Sequence, residues 1–408
     1  MGALRQLSKV FKKAMTLYSR HGFRALVRET AKKMGLKPIG KYLARQDIFG
    51  EFKFVNLPRV EARSSGAITN TINWYVPVVG RGSGGHGNIF RFIRALESLG
   101  IENRIILIGP GLPKSSKVAT KQIIDWFFPL KAQVYRWGEV IPNAHVGMAT
   151  EWRTAYYLRS SEKESTRGYF IQDFEPWFFP RGTHYALAEE TYRFGFKGVT
   201  AGSWLSGLVK KEFGMSALPI GFPADLETYS RVPIDKPEKN FKVFFYARPP
   251  TPRRDFELGL LAIQDLISKR KNVIAVFAGW DLSTYKIPFR HESFGVLDEK
   301  QLPELYARAD LALVISATNL SLLPVDLMAC EVPIVSNRGP NVEWLLNDSN
   351  SYLCDLTVGS ISDTLAHAID NPEESKRKAK HAKRDISGLT WQDEAKRAAK
   401  FLGLETKQ

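Results

Sequence analysis

Short apolar runs alternate with amphipathic stretches along most of the chain, and the alternation comes in two series. The first holds INWYVPV (72–78), RIILIG (104–109), HVGMAT (145–150), YFIQ (169–172) and KGVTA (197–201). Each is too short and too continuous in its apolar character for a surface helix, and fits a strand buried on both faces. Residues near 87–99, 151–160, 183–194 and 203–213 read as helices between them. The second series begins with FKVFFYA (241–247) and continues through VIAVFAG (273–279), FGVL (294–297), LALVI (311–315) and PIVSN (333–337). Strand and helix in alternation predict parallel sheets with helices on both faces. The fold expected is therefore α/β, with two facing Rossmann-like, doubly wound domains.

Where one domain ends is marked by PIDKPEKN (233–240), which is rich in proline and charge and poor in apolar residues. The expected organisation is an arm over 1–45, a first domain over 46–235, and a second over 236–389. A final amphipathic helix within 390–408 then returns to the first domain. A length of 408 residues suits two cores better than one.

Charge sharpens the reading of the arm. The net charge of +16 suggests nucleic acid until it is mapped, for residues 1–45 contain twelve Lys and Arg against the single acid Glu29. Leu4, Leu7, Val10, Phe11, Met15 and Tyr18 recur there at helical spacing, with Arg5, Lys9, Lys12, Lys13 and Arg20 between them. Two readings stand: a basic amphipathic helix on an anionic membrane, or a helix packed on the body with a solvated outer face. No nucleic-acid module is visible, and aromatics do not interleave with the basic residues, so no nucleic-acid partner is expected. The first thirty residues are too interrupted by Lys and Arg for a signal-peptide core, and no apolar run is long enough to span a bilayer. The expected location is the cytoplasm, with peripheral contact at the inner face of the membrane on the first reading. Cys330 and Cys354 lack metal-ligand spacing and read as reduced packing residues.

Four segments carry candidate chemistry. GRGSGGHG (80–87) joins a strand to a helix, where glycines such as Gly82, Gly84 and Gly85 let backbone amides approach an anion. No acid ends the following strand and no GK[ST] follows, so neither NAD nor a P-loop nucleotide fits. YARPPTPRRDF (246–256) places Arg248, Arg253 and Arg254 after the first strand of the second domain, and guanidinium forks suit the oxygens of a diphosphate. SATNLSLLPVDLMACE (316–331) sets Ser316, Thr318, Asn319, Ser321 and Asp326 beyond another strand end, where ligands of open α/β sheets sit. Hydroxyls and helix-start amides suit phosphate, and a carboxylate suits ribose hydroxyls. FIQDFEPWFF (170–179) adds Gln172, Asp173, Glu175 and Trp177, polar groups among aromatics, as in carbohydrate recognition. His86, Glu151, Trp152 and Arg153 are weaker candidates.

Together GRGSGGHGNIF, FIQDFEPWFFPRG, YARPPTPRR, FGVLDEKQLPELYARADLALVIS and SLLPVDLMACEVPIVSN resemble the family 4 retaining glycosyltransferases of GT-B architecture, and among them the WsaF-type rhamnosyltransferases of bacterial surface glycans. The resemblance covers roughly residues 70–385. It implies a nucleotide-sugar donor bound mainly by the second domain, L-rhamnose from dTDP-rhamnose, a lipid-linked glycan acceptor, and no metal or other cofactor. Arg248 and Arg253 match the pair that neutralises the donor diphosphate, and Asp326 the second acid of the E-x7-E element, which contacts ribose. Gly84 and Gly85 match the first-domain loop that approaches the phosphates. Asp173 matches the polar residue near the reacting sugar, where the resemblance makes it catalytic with Arg248 and Arg253. Val296 and Leu297 lie in the segment whose backbone would read the base. Gln172, Glu175, Trp177 and His86 fall on the acceptor or sugar side. Thr318 stands where the first acid of E-x7-E belongs, a departure that fits a deoxy sugar. Alternatives are a noncatalytic sugar-nucleotide-binding or partner subunit, a transferase using a UDP- or GDP-sugar, a GT-B-like epimerase, and a metal-dependent transferase built on Asp173 and Glu175.

Overall fold

The computed structural model of the chain describes residues 47–64, 70–234 and 240–406. The arm over 1–45, and the centre of the segment read as a linker, lie outside them. A short amino-terminal unit ends at Leu57, and the remainder from Pro58 forms a second unit that holds both sheets. In the short unit, Asp47 caps the helix Ile48–Glu51 by accepting from the backbone N of Gly50 at 2.8 Å.

The first sheet contains β1 (Thr71–Pro77), β2 (Glu102–Ile108), β3 (Gln133–Arg136), β4 (Ala144–Ala149), β5 (Glu164–Ile171), β6 (Lys197–Ala201) and β7 (Ala217–Ile220) in the order β3-β2-β1-β4-β5-β6-β7. The second contains β8 (Phe241–Tyr246), β9 (Val273–Ala278), β10 (His291–Ser293), β11 (Leu311–Val314), β12 (Ile334–Asn337) and β13 (Tyr352–Cys354) in the order β10-β9-β8-β11-β12-β13. All paired strands run parallel. Strand order reverses between β1 and β4 in one sheet and between β8 and β11 in the other. Those reversals open crevices at the carboxyl ends of the strands, and they decide where a ligand can sit. The two doubly wound domains expected from the apolar runs are present.

Helices cover both faces of each sheet, which is why the strands are apolar throughout rather than alternating. On one face of the first sheet Trp74, Phe92 and Phe170 pack edge to face or tilted, with ring centroids 5.1–6.1 Å apart. Helix Trp391–Leu402 adds Ala395, Ala398, Ala399 and Leu402 to that core, its small residues allowing close approach to helix Gly84–Ser98. The two cysteines are buried and free in the second domain.

One strand expectation is corrected. FGVL (294–297) is not a strand: the edge strand is His291–Ser293, and the chain leaves the sheet after Phe294 donates from its N to the carbonyl of Phe277 at 2.9 Å. Gly295, with φ of 65°, turns it away, while Phe294 and Leu297 pack beneath the turn. Their apolar character comes from that packing.

Gly202 starts helix Gly202–Phe213 at the carboxyl end of β6 with φ of 81°, and a Cβ there would meet Trp344 of the second domain at 2.5 Å. Gly202→Ala should therefore destabilise the protein by about 2 kcal/mol, from left-handed backbone strain and overpacking combined. Urea unfolding measures this, and an unchanged midpoint would mean that Trp344 swings away at no cost.

Candidate functional site

The second domain's crevice between β8 and β11 receives two loops. The loop after β8 delivers Arg248, Arg253 and Arg254, the last two in a single 3-10 turn, Pro252–Arg254. The loop after β11 delivers Ser316 to Asn319, and the backbone N of Ala317 donates to the carbonyl of Arg253 at 3.0 Å, tying the loops together. Helix Leu323–Ala329 follows and carries Asp326 in its first turn.

The arginines divide their work. Arg254 donates through one Nη to Ser316 Oγ and to the carbonyl of Asn319, which fixes the loop after β11. Burial pushes its pKa down to about 10. Arg253 lays its guanidinium over the Phe178 ring, 4.0 Å from the centroid, and its Nε stands 3.4 Å from Asp173 Oδ2. That Nε is buried and makes no hydrogen bond. Burial lowers the pKa of Arg253, and Arg248 beside it acts in the same direction against Asp173 and Glu175. Arg248 is the least committed, with one long side-chain bond, 3.4 Å, to the carbonyl of Gly279. Two neighbouring cations, one with an orphaned buried donor, form a place for an anion with several oxygens.

Across from them stands Asp173, at the end of β5 in the first domain and only 7% exposed. Its Oδ1 accepts from the backbone N of Phe174 at 2.8 Å and of Asn319 at 2.9 Å, and its Oδ2 from Thr318 Oγ1 at 2.8 Å. The Asn319 Nδ2 donates to the carbonyls of Gln172 at 3.1 Å and Ala201 at 2.9 Å, while Trp344 Nε1 donates to its Oδ1 at 2.8 Å. Thr318 and Asn319, expected to face a ligand, instead bind the first domain. The reason is that the strand ends of the two sheets meet here, so polar groups placed for a ligand are within reach of each other. Asn341 Nδ2 completes the loop by donating to the carbonyls of Ser316 and Thr318.

The first domain's loop arrives at the same crevice. Ser83 caps helix Gly84–Ser98, and the glycines at 82, 84 and 85 are exposed. A Cβ at Gly82 or Gly84 would meet nothing within 4 Å, which leaves the amides approachable. Gln172 Nε2 donates to the carbonyl of Gly85 at 3.1 Å and its Oε1 accepts from Asn88 Nδ2 at 3.0 Å, so Gln172 braces the loop. The buried Oδ1 of Asn88 has no partner. His86 bonds through its ring to Ser83 Oγ and the Pro77 carbonyl, and burial holds its pKa below the usual value, so it serves the loop as a neutral ring.

Glu175 is drawn inward. Its Oε2 accepts from the backbone N of Trp152 at 2.6 Å and from Tyr169 OH at 3.1 Å, and burial, with Glu151 nearby, pushes its pKa well above the usual carboxyl range. Its carboxyl and that of Asp173 are turned to different partners. Glu151 caps helix Trp152–Arg159, and Arg153 pairs with it. Trp177 is 44% exposed and lies against Phe174 and Trp204. Val296 is 70% exposed on the loop after β10, Leu297 packs beneath it, and Ser321 is half-buried.

Asp326 lies in the first turn of helix Leu323–Ala329. Burial pushes its carboxyl well above the usual range; Glu299 and Asp225 add to that, and Arg91 opposes them. Arg91, Glu299, Asn88, Asn341 and Trp344 were not singled out from the sequence. A signal for two of them was present, since Gly84, Asn88 and Arg91 share one helix face by their spacing.

Two doubly wound parallel sheets with both loops at the facing strand ends define the GT-B class of fold. Residues 241–366 match the family model for the WsaF C-terminal domain, in agreement with the resemblance read from the motifs. The O-antigen biosynthesis protein RfbC of Myxococcus xanthus is 30% identical over 352 residues, which are 83% of this chain and 27% of that protein. The chain thus spans about a quarter of that relative's length. Among solved structures, HepE of Anabaena with UDP and glucose bound aligns with a TM-score of 0.64 at 14% identity, over 82% of this chain and 99% of that one. Sucrose-phosphate synthase of Thermosynechococcus elongatus aligns with a TM-score of 0.65 at 10% identity, over 81% and 98%. TarM of S. aureus, bound to UDP among other ligands, gives 0.66 at 8% identity over 82% and 99%.

Proposed function

We propose that this chain is a glycosyltransferase of surface-glycan assembly that moves L-rhamnose from dTDP-rhamnose to a lipid-linked acceptor with retention. The observation that carries the transferase reading is the pair Arg248 and Arg253 at the crevice of the second domain, with a buried guanidinium nitrogen lacking a hydrogen bond. A donor diphosphate supplies acceptor oxygens for the Arg248 guanidinium, which has a single long bond to the carbonyl of Gly279. As the bond between the sugar C1 and the diphosphate oxygen breaks, negative charge grows on that oxygen, and cations already in place stabilise it without reorganising. The acceptor hydroxyl adds to C1 from the same face and passes its proton to the departing phosphate. Such a step requires no protein nucleophile.

Asp326 would accept ribose hydroxyls, and the open amides at Gly82, Gly84 and Gly85 would face the phosphates. Asp173 orients Arg253 and holds the two loops in register beneath the sugar. The exposed face of Trp177 suits a saccharide ring on the acceptor side. Charge neutralisation by arginine leaves no role that requires a metal, and the divergent placement of Asp173 and Glu175 favours the metal-free reading. The rhamnosyl assignment rests on the WsaF domain match and on the absence of an acid at position 318, whose threonine is bonded to Asp173 and leaves no carboxylate there for a sugar hydroxyl.

Calorimetric titration of the full chain in EDTA with dTDP-rhamnose, UDP-glucose, UDP-N-acetylglucosamine and GDP-mannose tests the reading. Preference for dTDP-rhamnose is the expected result. Preference for another donor would overturn the rhamnose assignment, and binding of none would overturn the donor site itself.

A further inference from the structure

Two of the nine tryptophans are exposed, Trp177 and Trp280. Trp177 lies against Phe174 and Trp204. Trp280 is 37% exposed, and among the described residues none sets a ring against its indole or accepts a hydrogen bond from its Nε1. So large an apolar ring left in water forgoes the burial that favours folding, and its place in the fold says what could cover it.

Trp280 follows β9 closely, and the residue before it is pinned from both sides. The N of Gly279 donates to the carbonyl of Gly295 at 2.7 Å, at the foot of the loop that carries Val296, and the carbonyl of Gly279 accepts from Arg248. Gly279 has a φ of 105°, and a Cβ there would meet the Tyr246 ring at 2.6 Å, so only glycine lets the chain turn this close to β8. Beyond Trp280, Asp281 accepts from the N of Ser283 at 2.9 Å and Leu282 is buried in the core. A fixed backbone thus sets Trp280 between Arg248 and the loop after β10.

The order of the arginines gives the direction of a donor laid across them. Arg253 touches the first domain through Phe178 and Asp173, and an acceptor must meet the sugar between the domains, so the sugar end of the diphosphate belongs with Arg253. The nucleoside end then runs outward past Arg248, from β8 toward β9, its neighbour in the sheet. Trp280 stands on that line.

We propose that Trp280 is the stacking platform for the nucleobase of the donor. The proposal rests on the donor-site reading above and adds a residue to it. Every nucleobase has a flat face, so stacking on an indole supplies affinity without choosing among bases. The choice falls to hydrogen-bonding groups of the loop after β10, where Val296 is exposed.

The experiment is calorimetric binding of dTDP, UDP, GDP, dTDP-rhamnose and inorganic pyrophosphate to the full chain, for the wild type and for Trp280→Leu and Trp280→Phe. Leucine keeps an apolar side chain without the ring, and phenylalanine keeps a ring. The expected result is about tenfold weaker binding of all three nucleoside diphosphates in Trp280→Leu, with pyrophosphate unaffected and most of the loss recovered in Trp280→Phe. Tryptophan emission should also be quenched by dTDP in the wild type and less so in Trp280→Phe, and thermal unfolding checks that each variant is folded. Equal losses of pyrophosphate and nucleotide in Trp280→Leu would mean that the residue acts only through Arg248, and would overturn the proposal. A loss seen with dTDP-rhamnose but not with dTDP would put the sugar there instead and overturn it as well. Wild-type affinity for dTDP, UDP and GDP in Trp280→Leu would overturn it while leaving the donor site intact. A wild type that binds none of the nucleotides would overturn the donor site and this proposal with it.

Discussion

Arg248→Ala should lower kcat for sugar transfer by about 10²–10³-fold, or about 3–4 kcal/mol in the barrier, and leave the unfolding transition where it was. The separation of the two effects follows from the side chain's surroundings. Arg248 reaches one carbonyl, that of Gly279, at the long distance of 3.4 Å, so the fold loses little when it goes. On the proposed mechanism the loss falls on the charge that develops on the leaving diphosphate. Arg253→Ala removes the same kind of stabilisation but also the Phe178 stack and the partner of Asp173, so both activity and stability should drop. Steady-state kinetics paired with urea unfolding separates the two variants. Unchanged turnover in Arg248→Ala would contradict the role given to it.

Asn319→Ala should destabilise the protein by about 3 kcal/mol, since it strips a donor from two carbonyls in a buried place, each costing about 1–3 kcal/mol when left unmade. The carbonyls belong to Gln172 and Ala201 of the first domain, so the loss is concentrated where the two domains meet. Asn319→Asp should be worse than the alanine variant, because it sets a carboxylate against those carbonyls. Chemical denaturation checks both. If the aspartate variant matched the wild type, the amide nitrogen would not be the group that faces the first domain.

The strands that the apolar runs announced are the central ones. Ile72 to Val76, Val243 to Phe245 and Val273 to Ala278 are buried without interruption because helices lie on both faces of their sheets. β3 and β7 escaped notice for the converse reason: Gln133–Arg136 and Ala217–Ile220 are short edge strands that carry exposed or half-exposed residues. FGVL misled because Phe294 and Leu297 are apolar for the sake of the turn's underside, which periodicity does not distinguish from a strand.

In the site, charge at strand ends was legible and partnership across the domains was not. Arg248 and Arg253 lie in a run whose only economical place is a loop at the crevice, and a parallel sheet puts that loop there. Thr318 and Asn319 lie equally well placed for a ligand, yet their polar groups meet Asp173 and Gln172, some 145 and 147 residues away in the chain. No local pattern encodes such a pairing. Spacing put Arg91 on one helix face with Gly84 and Asn88, but its partner Glu299 on the second domain was hidden in the same manner. Arg254 looked like a third phosphate ligand by proximity, and the structure spends it on Ser316 and Asn319 instead.

The most direct test of the central claim is release of nucleoside diphosphate from dTDP-rhamnose by the full chain in EDTA, measured with and without a lipid-linked glycan acceptor. The account predicts release that depends on the acceptor, matched by rhamnose appearing on it, and nearly abolished in Arg248→Ala. Tight donor binding with no acceptor-dependent release from any nucleotide sugar and acceptor offered would contradict it.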